Sequence, residues 1–179
     1  MTIKSLSETI TVTRADNSTK TIKGYLNFWS EMRLISHMIY KGGNNQELKR
    51  FTVGLNEGQS PIQPTFLIAK TIHNWVRDNI KYTPDVSGLE SLQEPLITLK
   101  NRFGDCDDMV ILLCSMLKSI GFDVGVVGVN AGGEDFNHVY SVIRTDNGWI
   151  FSDTTGSNNP LGFEIQPELY TKKHIVFID

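Results

Sequence analysis

Apolar and polar positions in the first third of the chain follow two different periods, which predict different elements. Residues 9–13 alternate with a period of two, and an Asp-Asn-Ser turn at 16–18 separates them from a second short run at 19–22. This pattern predicts a β-hairpin. Over residues 26–40 the apolar side chains recur at helical spacing, which predicts an amphipathic helix. The glycine pair at 42–43 predicts the end of that helix.

A less regular segment follows the predicted helix. Residues 51–55 predict a short strand, and residues 56–64, rich in Gly, Ser, Gln and Pro, predict a linker. Residues 1–64 are therefore interpreted as an N-terminal extension made of hairpin, helix and linker. The extension carries a net charge of +3 and residues 65–179 carry −6. This asymmetry favours a separate docking unit, and a protein partner is expected there.

The pattern over residues 65–179 predicts a second, more regular unit. Apolar positions at helical spacing over 66–80 predict an amphipathic helix, whereas 78–94 is polar and irregular. Residues 107–120 are apolar on nearly every side and predict a central buried helix. Four strands are predicted after it, over 122–129, 138–144, 149–153 and 175–178. A helix followed by an antiparallel sheet is an α+β arrangement, and 65–179 is interpreted as the core domain.

Composition limits the class of protein. The 179 residues are 40% hydrophobic and 21% charged, which is ordinary for a folded domain with a substantial core. No run approaches the ~18 apolar residues of a membrane span, and the first residues lack the apolar core of a signal peptide. A cytoplasmic protein without a membrane partner is therefore expected. The chain has no concentrated basic stripe, so no nucleic-acid partner is expected.

The two cysteines favour a reducing compartment. Cys106 and Cys114 lie on one predicted helix, about 12 Å apart at 1.5 Å per residue, beyond the roughly 7 Å that a disulfide allows between Cα atoms. Cys114 is expected to be a small core residue, and His37, His73 and His174 are expected to have surface or packing roles. The sequence has no CxxC pair, HExxH helix or calcium-loop pattern, so no metal or other cofactor is expected.

One set of residues carries the candidate chemistry. The sequence GDCDD at 104–108 places Cys106 at the start of the predicted central helix, where the helix dipole favours a thiolate. His138 begins a predicted strand and Asp153 ends another. The order cysteine, histidine, aspartate supplies a nucleophile, a base and an orienting group. The acidic residues around Cys106 act against a low thiol pKa through like-charge repulsion.

Together these segments resemble the transglutaminase-like superfamily, a branch of the papain-like cysteine enzymes. The resemblance covers about 65–179 and depends on the order of five motifs. These are NIKY at 79–82, GDCDD at 104–108, IGFDV at 120–124, NHV at 137–139 and WIFSD at 149–153. It implies a papain-like core in which a buried helix packs on an antiparallel sheet. The large calcium-dependent transglutaminases have further β-domains that this chain is too short to contain.

The resemblance also implies roles for individual residues. Cys106 would be the nucleophile, His138 its base and later acid, and Asp153 the group that orients the imidazole. Gln93 would be a second oxyanion donor, beside the Cys106 backbone N–H. Trp149 would shield the site.

Two functions of different classes stay open at this point. The first is cysteine-dependent amide chemistry (protease, amidase or acyl transfer) on a peptide or protein amide, in a bacterial or phage-infected cell. The second is a catalytically silent structural or assembly protein, such as a phage virion or morphogenesis component, that keeps the fold as a scaffold. Hydrolysis is favoured over cross-linking for a chain of this size.

Overall fold

The chain folds into helices packed on a mainly antiparallel sheet, with the central helix followed by four strands as the sequence predicted. The structure, a computed structural model, describes residues 8–24, 27–57, 63–86 and 90–179. In these residues the helices are α1 (Phe28–Gly43), α2 (Gln46–Gly54), α3 (Thr65–Asn79), α4 (Pro95–Asn101) and α5 (Cys106–Ser119). The strands are β1 (Glu8–Thr13), β2 (Thr19–Gly24), β3 (Lys81–Tyr82), β4 (Glu90–Gln93), β5 (Phe103–Gly104), β6 (Val124–Val129), β7 (His138–Thr145), β8 (Gly148–Ser152) and β9 (Lys173–Ile178).

The main sheet has four antiparallel strands in the order β8-β7-β6-β9. Every side chain position of β6 is buried, because α5 covers one face of the sheet and the other face has its own small apolar cluster around Tyr140. The tight turn at 146–147 joins β7 to β8, as the Asp-Asn-Gly sequence predicted. The α+β class and the helix-on-sheet core are therefore confirmed.

The central helix α5 is the core of the molecule. Its residues from Asp107 to Leu117 are all buried, so the apolar pattern on every side of this helix is explained by contacts on every side. Helices α1, α2, α3 and α4 and the main sheet all pack against it. The side chains between the helices and the sheet therefore form one continuous hydrophobic cluster.

The N-terminal segment joins this same cluster. The predicted hairpin is confirmed, since β1 pairs antiparallel with β2, and β1 also pairs parallel with β4. The predicted helix is confirmed as α1, and its Met32, Ile35 and Ile39 are buried against α5. The division of the chain after residue 64 stays a prediction, but the described part of 1–64 shares its core with 65–179.

The strand predicted at 51–55 is wrong, because these residues belong to α2 and the turn that follows it. The side chain of Asn45 caps the helix by accepting hydrogen bonds from two backbone N–H groups. Leu48, Phe51, Thr52 and Leu55 face the core at helical spacing, whereas Val53 is 47% exposed. The apolar residues at 51, 53 and 55 therefore alternate by position, but the residues that face the core have helical spacing. Most of the predicted linker (58–62) lies outside the described residues.

Within the described ranges, the helices are all too short or too polar to cross a lipid bilayer.

A cavity-forming substitution in α1 tests whether the N-terminal segment shares the core. We expect Ile35→Ala to lower the free energy of unfolding by about 2–5 kcal/mol, because it removes a fully buried side chain. Urea unfolding followed by tryptophan fluorescence and by circular dichroism measures this, and both probes should shift together in one transition. Arg33→Ala on the exposed face of the same helix should change stability by at most about 0.5 kcal/mol. Two separate transitions, of which only one responds to Ile35→Ala, would contradict a shared core.

Candidate active site

Cys106 is the first residue of α5, and a network of aspartates fixes this end of the helix. Asp105 is the N-cap, and its carboxylate accepts hydrogen bonds from Asp107 N at 3.1 Å and Asp108 N at 3.2 Å. Such a cap satisfies backbone donors that the helix leaves without partners. The Cys106 side chain is half-buried, and its Sγ lies 3.7 Å from Asp107 Oδ1. The thiol therefore sits at the positive end of the helix dipole, next to acidic side chains.

The glycine of the GDCDD motif is required by close packing. A Cβ atom at Gly104 would lie 2.5 Å from the Cβ of Asp108, so a larger residue would push β5 away from α5. Asp108 itself is buried, and burial, reinforced by the charge of Asp105, raises its pKa to about 7. Its hydrogen bonds from Gln93 act in the opposite direction. The motif thus places a buried acid, Asp108, two residues after the candidate nucleophile Cys106.

Gln93 is tied to that acid. Its backbone N donates to Asp108 Oδ1 at 2.7 Å, and its side-chain Nε2 donates to Asp108 Oδ2 at 2.6 Å. Nε2 also lies 3.4 Å from the carbonyl oxygen of Phe103. Gln93 is therefore hydrogen-bonded to Asp108 in the first turn of α5. It is not among the described residues that line the cleft containing Cys106.

His138 and Asp153 come together from the main sheet. His138 is the first residue of β7 and Asp153 directly follows β8, which is antiparallel to it. The Nε2 atom of His138 lies 3.0 Å from Asp153 Oδ2. A carboxylate only accepts hydrogen bonds, so Nε2 carries the proton and Nδ1 is left as the basic nitrogen.

The surroundings of Asp153 keep it charged. Burial acts to raise the pKa of this carboxyl, but the hydrogen bond and charge of His138, together with the hydrogen bonds from Thr155, lower the pKa below its usual value. Thr155 assists through its backbone N at 3.0 Å and its hydroxyl at 2.7 Å from Asp153 Oδ1. Both carboxylate oxygens are thus bonded, which fixes the direction in which His138 is held.

Cys106 and His138 line one cleft, of about 220 Å³. One wall is aromatic: Phe28 of α1 stacks on Phe136, with ring centroids 3.7 Å apart. Phe28 also fits against Gly128 of β6, where a Cβ would lie 2.4 Å from the ring. The N-terminal segment therefore supplies part of the site, a contribution that the motifs of 65–179 could not indicate.

Tyr82, at the end of the short strand β3, lines the same cleft. Partial burial raises the pKa of its phenol, and the charges of Cys106 and of nearby aspartates add to the effect. The phenol is therefore protonated and is a hydrogen-bond donor at neutral pH. Tyr82 is the last residue of the NIKY motif at 79–82, so the resemblance includes this residue, but the motif alone does not indicate that it lines the cleft.

His73 supports the strand end that carries Asp153. It is fully buried on α3, with Nε2 3.0 Å from the carbonyl oxygen of Asn159 and Nδ1 2.8 Å from Ser152 Oγ. Burial is the largest influence on its pKa and lowers it, so the ring is neutral, donates to Asn159 and accepts from Ser152. The packing role expected for His73 is confirmed, and its connection to the residue before Asp153 was not visible in the sequence.

The remaining candidate residues have packing roles. Cys114 is fully buried, with Sγ 3.3 Å from Ser141 Oγ, and burial raises the pKa of its thiol to about 12. This confirms the prediction of a core cysteine. His174 packs edge-on against Trp29, with ring centroids 4.4 Å apart. Trp149 contacts Phe177, with ring centroids 4.7 Å apart, and is not among the described residues that line the cleft, so the shielding role stays a prediction.

One group of side chains has the spacing of cation ligands. Ligand atoms of Asp105, Cys106 and Asp107 all lie within 4.8 Å of one another. Two of these side chains already have structural roles: Asp105 caps α5, and Asp107 lies beside the thiol. The expectation that the site needs no metal stays a prediction.

Comparisons with known proteins were made on both sequence and fold. A model of the transglutaminase-like superfamily matches residues 54–154. No curated protein sequence matches the chain. Among solved structures, a candidate protease of Parabacteroides distasonis is similar with a TM-score of 0.56 at 15% identity, over 80% of this chain and 29% of that one. LapG of Legionella pneumophila, in an EGTA-treated form, is similar with a TM-score of 0.50 at 16% identity, over 76% and 78%.

These comparisons differ in what they show. The match of the family model includes Cys106, His138 and Asp153, the three candidate catalytic residues. The two solved structures show a shared fold, and this chain spans less than a third of the Parabacteroides protein.

The buried acid behind Cys106 predicts a measurable pH dependence of stability. The folded protein keeps a proton on Asp108 up to about pH 7, whereas an unfolded chain releases it near pH 4. The stabilising contribution is therefore complete below about pH 4 and is lost as the pH rises to about 7. We expect Asp108→Asn to flatten this part of the curve, as measured by urea unfolding between pH 4.5 and 8. Asp123→Asn, at an exposed position, is the matched control. Parallel curves for wild type and Asp108→Asn would contradict the assignment.

Proposed function

Since this chain belongs to the transglutaminase-like superfamily, we propose that it performs cysteine-dependent amide chemistry at Cys106, His138 and Asp153. Cys106 is the nucleophile, His138 the base and later the acid, and Asp153 the group that orients the imidazole. The family supports cysteine-dependent enzyme chemistry in general, and the assignment of these three residues is our proposal.

One observation carries the proposal. His138 Nε2 is 3.0 Å from Asp153 Oδ2, and His138 lines the same cleft as Cys106 at the start of α5. The hydrogen bond to Asp153 leaves Nδ1 of His138 as the nitrogen that can take the thiol proton. A thiol at a helix start beside a fixed imidazole is the arrangement that gives a thiolate–imidazolium pair.

The reaction then follows from the positions of these groups. Nδ1 of His138 accepts the proton of the Cys106 thiol, and the thiolate attacks the carbonyl carbon of an amide. The tetrahedral intermediate collapses to a thioester when the C–N bond breaks and His138 returns the proton to the leaving amine. Water or a second amine, deprotonated by His138, attacks the thioester and regenerates the thiol. Attack by water completes hydrolysis, and attack by an amine completes acyl transfer.

The oxyanion of the tetrahedral intermediate needs hydrogen-bond donors in the cleft. We assign the Cys106 backbone N–H, at the first residue of α5, as one donor. Gln93 remains the sequence-based candidate for the second, but its amide donates to Asp108. Tyr82 lines the cleft, and we propose its hydroxyl as the second donor.

Peptide or protein amides are the proposed substrates, and hydrolysis is the proposed outcome. A scaffold without activity is the alternative, and the comparisons give no support to a phage or virion role. The reactivity of the Cys106 thiol separates the two functions without knowledge of the substrate.

The proposed function predicts how the Cys106 thiol reacts. We expect iodoacetamide to alkylate Cys106 rapidly well below pH 7 in wild type, because the imidazolium of His138 stabilises the thiolate. In His138→Ala, labelling should fall and should follow the ordinary thiol pKa near 8.5. Intact-mass spectrometry after timed quenching measures the rate between pH 5 and 9.

Cys106→Ser is the blank for this experiment, because the other cysteine is fully buried. Identical pH profiles of the alkylation rate for wild type and His138→Ala would indicate a scaffold with an ordinary thiol and would contradict the proposal.

The second prediction concerns the orienting carboxylate. Asp153→Asn keeps the size of the side chain but removes the charge that holds Nε2–H of His138, so the imidazole loses its preferred tautomer. We expect the alkylation rate at pH 6 to drop by at least about tenfold, which corresponds to about 1.4 kcal/mol. The exposed Asp123→Asn is the control. An unchanged rate in Asp153→Asn would show that the pair at 3.0 Å does not set the reactivity of the thiol.

A further inference from the structure

The cleft around Cys106 is lined by acidic side chains. Four carboxylates line it, on Glu31, Asp85, Asp105 and Asp107, and no lysine or arginine is among its described lining residues. They come from three parts of the fold: α1, the loop after β3 and the start of α5. Asp105 and Asp107 belong to the GDCDD motif, and the fold brings Glu31 and Asp85 to the same cleft.

Two of these carboxylates are held in place by the protein. Asp105 accepts hydrogen bonds from two backbone N–H groups of α5, and Asp85 accepts from the backbone N and hydroxyl of Ser91. Neutral donors fix the position of a carboxylate but do not cancel its charge. A narrow, low-dielectric cleft strengthens the resulting field for any group that enters it.

Lys172 and Lys81 are not among the described residues that line the cleft. Lys172 contacts the loop before β7, through Asp135 Oδ1 at 3.5 Å and the carbonyl oxygen of Glu134. Lys81 precedes Tyr82 and is exposed to solvent.

The walls of the cleft add a second preference. The stacked rings of Phe28 and Phe136 and the phenol of Tyr82 present aromatic surface beside the carboxylates. Aromatic faces attract ammonium and guanidinium groups, and they also pack against the methylene stems of lysine and arginine. An anionic substrate segment would have to enter against the charge of all four carboxylates.

We propose that the cleft selects peptide segments with a lysine or arginine side chain next to the amide that Cys106 attacks. The inference deepens the proposed function and depends on it, since it names the substrate class of the same site. The carboxylates attract the cationic head, and the aromatic wall contacts its apolar stem.

Three matched electrophilic peptides test this selection. Each is a short peptidyl vinyl sulfone with lysine, norleucine or glutamate beside the reactive group; norleucine has a similar stem without the charge. The Cys106 thiolate adds to the β-carbon of the vinyl sulfone and a proton is delivered to the α-carbon, so nothing leaves. We expect second-order labelling rates in the order lysine, norleucine, glutamate, with at least about tenfold between the extremes at low salt. The difference should shrink at 0.5 M salt because of screening.

Substitutions then locate the source of the selection. Glu31→Gln should reduce the ratio of lysine to glutamate rates severalfold, because it removes the charge of one of the four carboxylates that line the cleft. Glu168→Gln, an exposed acid on the short 3-10 helix Pro167–Leu169, is the matched control and should leave the ratio as in wild type. Cys106→Ser is the blank.

The outcomes separate this inference from the proposed function. Equal rates for the three peptides, with labelling that still requires His138, would overturn the charge selection and leave the catalytic assignment standing. Labelling that does not depend on His138 would overturn both. A ratio that Glu31→Gln and Glu168→Gln lower equally would show that net charge, not the cleft, produces the preference, and would also overturn the inference.

Discussion

The buried carboxyl of Asp108 links the elements that define the site. It accepts hydrogen bonds from the backbone and the side chain of Gln93 at the end of β4, and it packs against Gly104 of β5. Through β4 the same contact reaches β1 and the N-terminal hairpin. Burying an acid is costly unless its hydrogen bonds are satisfied, so this contact requires the strands and the start of α5 to be in register. Cys106 lies two residues away and takes its position from that register.

The second half of the site depends on the sheet. His138 and Asp153 belong to neighbouring antiparallel strands, and the buried residues of β6 and β7 hold those strands against α5. Close packing of this interior leaves little freedom for the relative position of helix and sheet. Packing can therefore keep a cysteine on the helix and a histidine on the sheet at one cleft. His73 extends the support by bonding to the residue before Asp153.

Several elements could be predicted from local patterns, and the exceptions have identifiable causes. The hairpin, α1, α3, α5 and the four strands of the main sheet follow from periodicity, because each buries one face or, for α5, all faces. Residues 51–55 resemble a strand because three apolar residues lie at alternate positions, whereas the residues that face the core, at 48, 51, 52 and 55, have helical spacing. The short α4, β3 and β5 are too brief to show a period.

The sequence by itself determined the fold class, the central helix and the order of Cys106, His138 and Asp153. These depend on local pattern and on a recognisable set of motifs. Only the tertiary structure decided that Asp153 bonds to Nε2 of His138, that the Gln93 amide is engaged by Asp108, and that Phe28 and Glu31 of the N-terminal segment line the cleft. Those facts concern groups that are far apart in the chain and meet through packing. Such distances cannot be read from local sequence patterns, because they result from how all the buried surfaces fit together.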